Sequence, residues 1–301
     1  MDRLEAMSML LTVVAEGSFS AASRTLGVPV ATLSRKVTDL EIRLGTRLLT
    51  RTTRKLSLTD TGEAYITAAR RILDAVEEAE REAAGEFTMP KGELVITAPI
   101  LFGRLHVLPI VGDFLALYPE IQVRLTLSDR NLHLVDDHVD MAVRLGPLPD
   151  SQMKSTKVGT MRTVIVASPS LLAAHGTPET PADLAAFPAI GFEAPTPVAA
   201  WRFRAENGDA IEIAPDMRLR VSTAEAVRDA ATGDIGLARL FHYQVADAVD
   251  AGALRIILDA YESEPAPIHL LHAARGQLPL KMRRFLDFAA PLLRQRLKRF
   301  G

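Results

Sequence analysis

Residues 17–62 constrain this chain more than any other stretch. Gly17-Ser18-Phe19-Ser20-Ala21-Ala22 leads through Leu26 to Gly27, a short helical pattern bounded by two glycines. Val28-Pro29 and a second helical pattern through Glu41 follow, then Gly45 and the cationic run Arg51-Thr52-Thr53-Arg54-Lys55. Ser18 or Ser20 can cap the first of these helices, because a hydroxyl there accepts from an otherwise unbonded amide. Pro29 suits the first turn of the next, where its missing N–H is not needed. Upstream, Leu4, Met7, Leu11 and Val14 recur at helical spacing. Short helices are therefore expected, with Phe19, Ala22 and Leu26, then Leu33, Val37, Leu40 and Leu44, as their buried stripes. The Ala21-Ala22 pair is small enough for a crossing helix to approach closely.

Thr32, Arg35 and Lys36 fall on the opposite face of the last helix, near its start. A recognition helix reaches base edges and phosphates in the major groove from such positions. Leu48-Leu49 and then Leu56 and Leu58 flank the basic run, which predicts a two-stranded wing. Its cationic tip would neutralise phosphates or insert an arginine into the minor groove. Any one of these arginines alone reads as a solvated surface charge. The helices and the wing together point to DNA.

The charge balance agrees. The 301 residues carry a net charge of −2, which argues against a wholly basic nucleic-acid binder. Between residues 30 and 59, however, Arg35, Lys36, Arg43, Arg47, Arg51, Arg54 and Lys55 are opposed only by Asp39 and Glu41. A local positive footprint on a near-neutral chain suits a modular DNA binder. A second basic cluster, Arg294, Arg296, Lys298 and Arg299, reads as favourable charge at a helix C-terminal end. The length fits two domains, and 48% apolar residues can fill a sizeable core. The chain has no cysteine, which excludes disulfides, thiolate zinc sites and a cysteine nucleophile and suits a reducing compartment. Met1-Asp2-Arg3-Leu4-Glu5 does not read as a signal peptide, and no apolar run is expected to span a membrane. A cytoplasmic protein is expected.

Asp60 followed by Glu63 resembles a capping box opening a long helix. In it Tyr65, Ala68, Ile72, Ala75 and Ala79 alternate at steps of three and four, the seam of a two-helix coiled coil. This stripe either mediates a homodimer or packs on its own domain. Gly85 to Gly92, with Met89-Pro90, ends the helix as a hinge. From Glu93 onward strands and helices alternate, an α/β pattern. Strands are expected at 94–98, 121–127, 141–145, 163–167, 235–238 and 254–258, and a helix at 103–118. Ser222-Thr223-Ala224-Glu225 reads as a second capping box, opening a helix that ends at Gly233.

The front of the chain resembles the winged helix-turn-helix of the LysR-type transcriptional regulators. The matching residues are Ser18-Phe19-Ser20-Ala21-Ala22, Leu26, Ser34, Leu40-Glu41, Leu44-Gly45, Leu48-Leu49, Arg51-Thr52, Arg54, Leu58-Thr59 and Thr61-Gly62. Where that family usually has polar residues before the recognition helix, this chain has Val28, Pro29 and Val30. Thr32, Ser34, Arg35, Arg51 and Arg54 then become the main expected DNA contacts, with Ser18, Ser20, Pro29, Lys36 and Lys55 around them. Val139-Asp140-Met141-Ala142-Val143-Arg144-Leu145-Gly146 and Ala167-Ser168-Pro169 resemble the family's effector-binding domain. The resemblance implies a two-lobed α/β fold like the periplasmic solute-binding proteins. It implies a winged helix-turn-helix over 1–60, a dimerisation helix over 61–87, a hinge over 88–92 and an effector domain over 93–301. Lobe I would hold 93–163 and 267–301, and lobe II 164–266. It also implies double-stranded DNA, a small-molecule effector and copies of the same chain as partners, as a homodimer and a homotetramer.

Ligands of open α/β sheets sit beyond the carboxyl ends of the strands. One strand ends at Ala98, directly before Pro99-Ile100-Leu101-Phe102, and Ser222-Thr223 opens another helix. Two helix starts at one cleft would offer unbonded amides to an anion, and Arg144 could add a charge-assisted bond. Pro99, Leu101, Phe102 and Phe192 would supply apolar walls. Pro99, Ile100, Leu101, Phe102, Ser128, Arg144, Phe192, Ser222 and Thr223 are thus the expected effector contacts, and the effector is expected to be a small anion. Arg144 could instead pair with Asp140, and Ser222 could be a cap only.

Catalytic signatures are lacking: there is no phosphate loop, no His-Glu-x-x-His and no Gly-x-Ser-x-Gly. His133, Asp136, Asp137 and His138 form a loop without recognised metal-ligand spacing. His269 and His272 would point to opposite faces of one strand. Trp201 and Phe203 read as packing residues. No cofactor, metal or enzymatic activity is expected. The alternative is a solute-binding or enzymatic two-lobed protein with an incidental helical head.

Overall fold

The computed structural model describes residues 2–51, 56–83, 89–130, 132, 134, 137–148, 153–193, 200–273 and 278–300, with backbone only at Arg51, Glu78 and 81–83. It divides into two compact units, Met1–Gly92 and Glu93–Gly301.

The first unit holds α1 (Arg3–Ala15), α2 (Phe19–Leu26), α3 (Val30–Leu44), the antiparallel hairpin β1 (Leu49–Arg51) and β2 (Leu56–Leu58), and α4 (Asp60–Ala83). Asp2 caps α1, its Oδ1 accepting the Leu4 amide at 2.9 Å. Ser18 caps α2 by accepting from Ala21 at 3.1 Å. Gly27 and Gly45 end α2 and α3 in the left-handed conformation, φ 66° and 68°. Leu33, Val37 and Leu40 of α3 pack with Ala22, Leu48 and Ile66 in one core. Two expected stripes are corrected. On α1 the buried residues are Ala6, Met7, Met9, Leu10 and Val13, while Leu4 is exposed, because α2, α3 and α4 all pack around this helix. Leu44, in the last turn of α3, is 40% exposed.

The cap of α4 is Thr59, not Asp60: the Thr59 hydroxyl accepts from Gly62 at 2.9 Å. Gly62 sits so close to β1 that a Cβ there would lie 2.0 Å from the Leu48 carbonyl oxygen. Glu41 joins α3 to the wing, its Oε1 accepting the Leu48 and Leu49 amides at 2.7 and 3.0 Å. Along α4, Ile66 and Ala69 are buried and Tyr65 and Ala68 half-buried against the head, whereas Ile72, Ala75 and Ala79 are exposed. The expected hinge lies partly outside the described residues, at 84–88.

The second unit begins with β3 (Gly92–Ala98), α5 (Ile100–Phe102), a π-helical turn (Gly103–Val107) and α6 (Leu108–Leu117). Here the helix starts at Ile100 rather than Gly103. By length and composition Ile100–Leu117 could cross a membrane, contrary to the expectation above. Its Leu101, Phe102, Val107, Ile110, Val111 and Phe114 instead pack into the lobe I core. Then follow β4 (Ile121–Leu127), β5 (Met141–Leu145), β6 (Lys154–Met161), β7 (Thr163–Ala167), α7 (Pro169–His175), β8 (Ala189–Phe192), β9 (Trp201–Arg204), β10 (Ala210–Ile213) and β11 (Met217–Val221). The chain closes with α8 (Ala224–Thr232), β12 (Leu237–Phe241), α9 (His242–Asp250), β13 (Arg255–Ile257), β14 (Ala266–His272) and α10 (Leu280–Leu297). The strand expected at 235–238 starts later because the Ile235 amide still closes the turn after α8, donating to the Ala230 carbonyl at 3.1 Å.

Two five-stranded sheets result, β4-β3-β5-β14-β6 in lobe I and β11-β8-β12-β7-β13 in lobe II. The chain enters lobe II at Arg162, between β6 and β7, and returns between β13 and β14. The two crossings are joined by an ion pair, Arg162 Nε and Nη2 donating to Glu262 at 2.8 and 2.7 Å. α10 packs back on lobe I through Phe285, Ala289 and Leu293. Trp201 and Phe203 are buried in lobe II, as expected of packing residues.

Candidate nucleic-acid interface and effector cleft

The turn between α2 and α3 is locked by the Ser23 hydroxyl, which donates to the Val28 carbonyl at 2.6 Å. On α3, Pro29 at the cap position and Arg35 are exposed, and Thr32 and Ser34 are half-buried beside them. Lys36 forms an ion pair with Glu5 of α1, so its charge is largely offset within the head. Ser18 is spent on its cap, and Ser20 is exposed. The outward face of α3 also carries Ala31 and Ile42, the latter 72% exposed. Sequence reading missed both, although their spacing from Arg35 along the helix could have found them. Such apolar groups can contact thymine methyls. The Arg51 side chain, Arg54 and Lys55 lie outside the described residues.

In the second unit, Pro99 precedes α5 at the carboxyl end of β3, and Ser128 follows β4. The Ser128 amide donates to the Ala98 carbonyl at 3.0 Å, which brings the two strand ends together. One amide at each helix start already has a partner. Asp129 Oδ1 accepts the Ile100 amide at 3.0 Å, so the first helix start already holds a carboxylate. Thr223 caps α8 by accepting from Ala226 at 3.3 Å, and Ser222 is exposed and outside that cap. Leu101 and Phe102 are also corrected: Phe102 is 0% exposed, and both pack in the lobe I core rather than on a ligand-facing wall. Phe192 packs partly against α8. Arg144 is half-buried and donates from Nη2 to the Leu132 carbonyl at 2.7 Å; burial lowers its pKa. Its alternative partner, Asp140, accepts from the Val95 amide at 2.9 Å instead.

Asp129 and Glu225 are the feature that sequence reading missed. Asp129 Oδ2, in lobe I, and Glu225 Oε2, on α8 in lobe II, are buried oxygens without a hydrogen-bond partner. Burial raises the Asp129 pKa, repulsion from Glu225 adds to the rise, and the Ile100 bond opposes it. A raised carboxylate pKa means that the folded state holds the proton more tightly. That contribution is complete below the ordinary value of 3.8 and is lost as pH rises through the folded value. Asp129→Asn keeps an oxygen for the Ile100 amide and removes the repulsion. At pH 7.5 it is expected to raise the melting temperature of the second unit by about 1–3 °C. Calorimetry checks this, and a lowered melting temperature would contradict the repulsion. Among the described residues no group of three or more His, Cys, Asp or Glu is placed to hold a metal ion.

A helix-turn-helix head with a wing, a long helix that leaves Ile72, Ala75 and Ala79 exposed, and a two-lobed α/β domain together define a DNA-binding regulator with an attached sensor. Residues 4–63 match the family described as "Bacterial regulatory helix-turn-helix protein, lysR family", and residues 88–294 match "LysR substrate binding domain". The chain belongs to the LysR family of transcriptional regulators. It is 33% identical to an HTH-type transcriptional regulator of Xanthomonas campestris pv. campestris over 93% of this chain and 82% of that one. The structure of CrgA, a LysR-type regulator from Neisseria meningitidis, aligns with TM-score 0.61 and 30% identity over 97% and 99% of the two chains. The full-length Vibrio cholerae virulence activator AphB aligns with TM-score 0.59 and 28% identity over 96% and 98%. The alternative of an incidental helical head is set aside by the match over residues 4–63.

Proposed function

We propose that α3 reads operator DNA through Thr32, Ser34 and Arg35, while Ser20, Pro29, Arg51, Arg54 and Lys55 hold the phosphate backbone. The observation that carries this reading is the outward placement of Arg35 on a helix whose other face is locked into the head core. Two copies pair through Ile72, Ala75 and Ala79, whose exposure in a single chain supports a partner helix there. Dimers assemble further into tetramers. The protein acts in the cytoplasm and by binding, not by catalysis.

A small effector enters between the lobes, against Pro99, Ser128, Arg144, Phe192, Ser222 and Thr223. Its binding shifts lobe closure and with it the spacing or bend of the bound DNA. An anionic effector would look to Arg144, because Asp129 occupies the Ile100 amide. Calorimetry with aliphatic and aromatic acids, set against amines, tests the charge. Binding of amines alone would transfer recognition to Asp129 and Glu225. Identical footprints and bend angles with and without a bound effector would defeat the coupling.

Neutralising Arg51 and Arg54 together is expected to weaken binding to all duplexes. It should reduce the slope of log affinity against log salt by about two, since each phosphate contact contributes about one. Gel-shift titrations over a salt series give this slope directly. Arg35→Ala should alter sequence preference, with about 1–3 kcal/mol lost at the base it contacts.

A further inference from the structure

The lobe II sheet carries two arginines without acceptors among the described residues, one on each side of a glycine. Leu237 of β12 aligns with Ala189 of β8, which aligns with Met217 of β11, and all belong to the core on one face of the sheet. Ala238, Ile190 and Leu219, one step on, belong to the opposite core beneath α8. Alternation therefore returns Arg239, Gly191 and Arg220 to the first face. Two pairings support this placement: Arg239 with Ile165, a residue of the first core, and Arg220 with Gly191. The row reads Ile165, Arg239, Gly191, Arg220.

Gly191 makes the row a trough. A Cβ on it would lie 3.3 Å from Arg220 Cγ and 3.6 Å from Arg220 Nη1, so the Arg220 side chain lies across the glycine. Its backbone is ordinary, and Met217 Sδ lies 3.4 Å from the same Cβ position, so a side chain here would crowd both neighbours. The flanking arginines stand about 10 Å apart at their backbones, two strand spacings, a gap that two long side chains can close on one ligand group. Arg239 is partly buried, and burial and then the charge of Arg202 lower its pKa. Arg202 itself is paired with Glu212 at 2.8 Å. Three other partly buried arginines of this unit have acceptors: Arg144 has the Leu132 carbonyl, Arg162 has Glu262 and Arg228 has Asp229. Arg239 and Arg220 have none among the described residues. Glu193, two residues beyond Gly191, pairs with neither.

We propose that Arg220 and Arg239, flanking the side-chain-free Gly191, form an oxyanion site on lobe II for the carboxylate or phosphate group of a small molecule. It lies on the sheet face away from α8, distinct from the helix starts at Ile100 and Ala224. A planar guanidinium presents its donors in a fork that matches two oxygens of either group.

Thermal unfolding of the full chain tests this at pH 7.5, with sodium phosphate or sodium acetate set against chloride at equal ionic strength. Phosphate, or both oxyanions, should raise the melting temperature of the second unit above the chloride value. Phosphate also stabilises folded proteins by exclusion from their surface, so only the saturable part of the rise reports the site: seen with phosphate alone it identifies a phosphorylated ligand, and seen with both anions it admits a carboxylate. Arg239→Gln and Arg220→Gln should each raise the half-saturating concentration about tenfold or more. Gly191→Ala should raise it severalfold by filling the trough. Arg220 is exposed, so its variant keeps the fold even if Arg239→Gln does not. Arg35→Gln, in the DNA-binding head, should leave the response intact. Equal stabilisation by chloride, a saturable response that survives Arg220→Gln, or one lost in Arg35→Gln instead, overturns the site.

Discussion

Leu33→Ala is expected to destabilise the DNA-binding head by about 3–4 kcal/mol and to abolish operator binding. Leu33 is 0% exposed, and it packs from α3 against the centre of the head core. Truncating such a leucine costs the transfer free energy of its lost atoms and leaves a cavity, about 2–5 kcal/mol together. A unit of this size has little stability in reserve. The second unit has its own cores, so the loss should appear as a separate early unfolding transition, with the later one unmoved. Differential scanning calorimetry resolves the two. Retained operator affinity in this variant would mean that α3 is not held by the core described.

The second large effect is acid destabilisation through His106. This side chain is 8% exposed in lobe I, and its Nε2 has no partner. Phe102, Tyr243 and Phe300 surround the ring at centroid distances of 4.8, 5.7 and 5.7 Å. Burial, then the charges of Arg296 and Arg299, lower its pKa to about 4. Unfolding frees it to titrate near 6.5, so the unfolded state binds the extra proton first. Stability is complete above pH 6.5 and drains away as pH falls towards 4. Between pH 7.5 and 4.5 the loss should be about 2–3 kcal/mol, because each tenfold difference in proton affinity between the two states is worth about 1.4 kcal/mol. His106→Phe suits the aromatic surroundings and should remove this component. Urea unfolding at both pH values compares the two proteins, and parallel losses would acquit His106.

Much of this architecture is legible in the residues themselves. Gly27 and Gly45 announce their helix ends because only a left-handed residue closes those turns cheaply. The alternation of Ile121, Val123, Leu125 and Leu127 marks β4. What escaped is set by tertiary context. The α1 face could not be chosen from spacing, since a helix wrapped on several sides buries residues outside any one stripe. Thr59 and Asp60 both have capping chemistry, and only the path of the chain over β1 decides between them. Asp129 reaches Ile100 across 29 positions of sequence, a contact no local pattern encodes. Leu101 and Phe102 follow a strand end as cleft residues would, yet the helix that begins at Ile100 turns them inward.

The paired crossings at Arg162 and Glu262 make lobe II an inset whose two ends are stapled together. Lobe I is completed around that staple by β14 and α10, and α9 of lobe II adds Tyr243 and Ala246 to its core. A foreign inset with equally close ends, and with apolar groups in the places of Tyr243 and Ala246, could therefore be transplanted at this seam without rethreading the remaining fold. Swapping sensors at this point is the engineering route the topology opens.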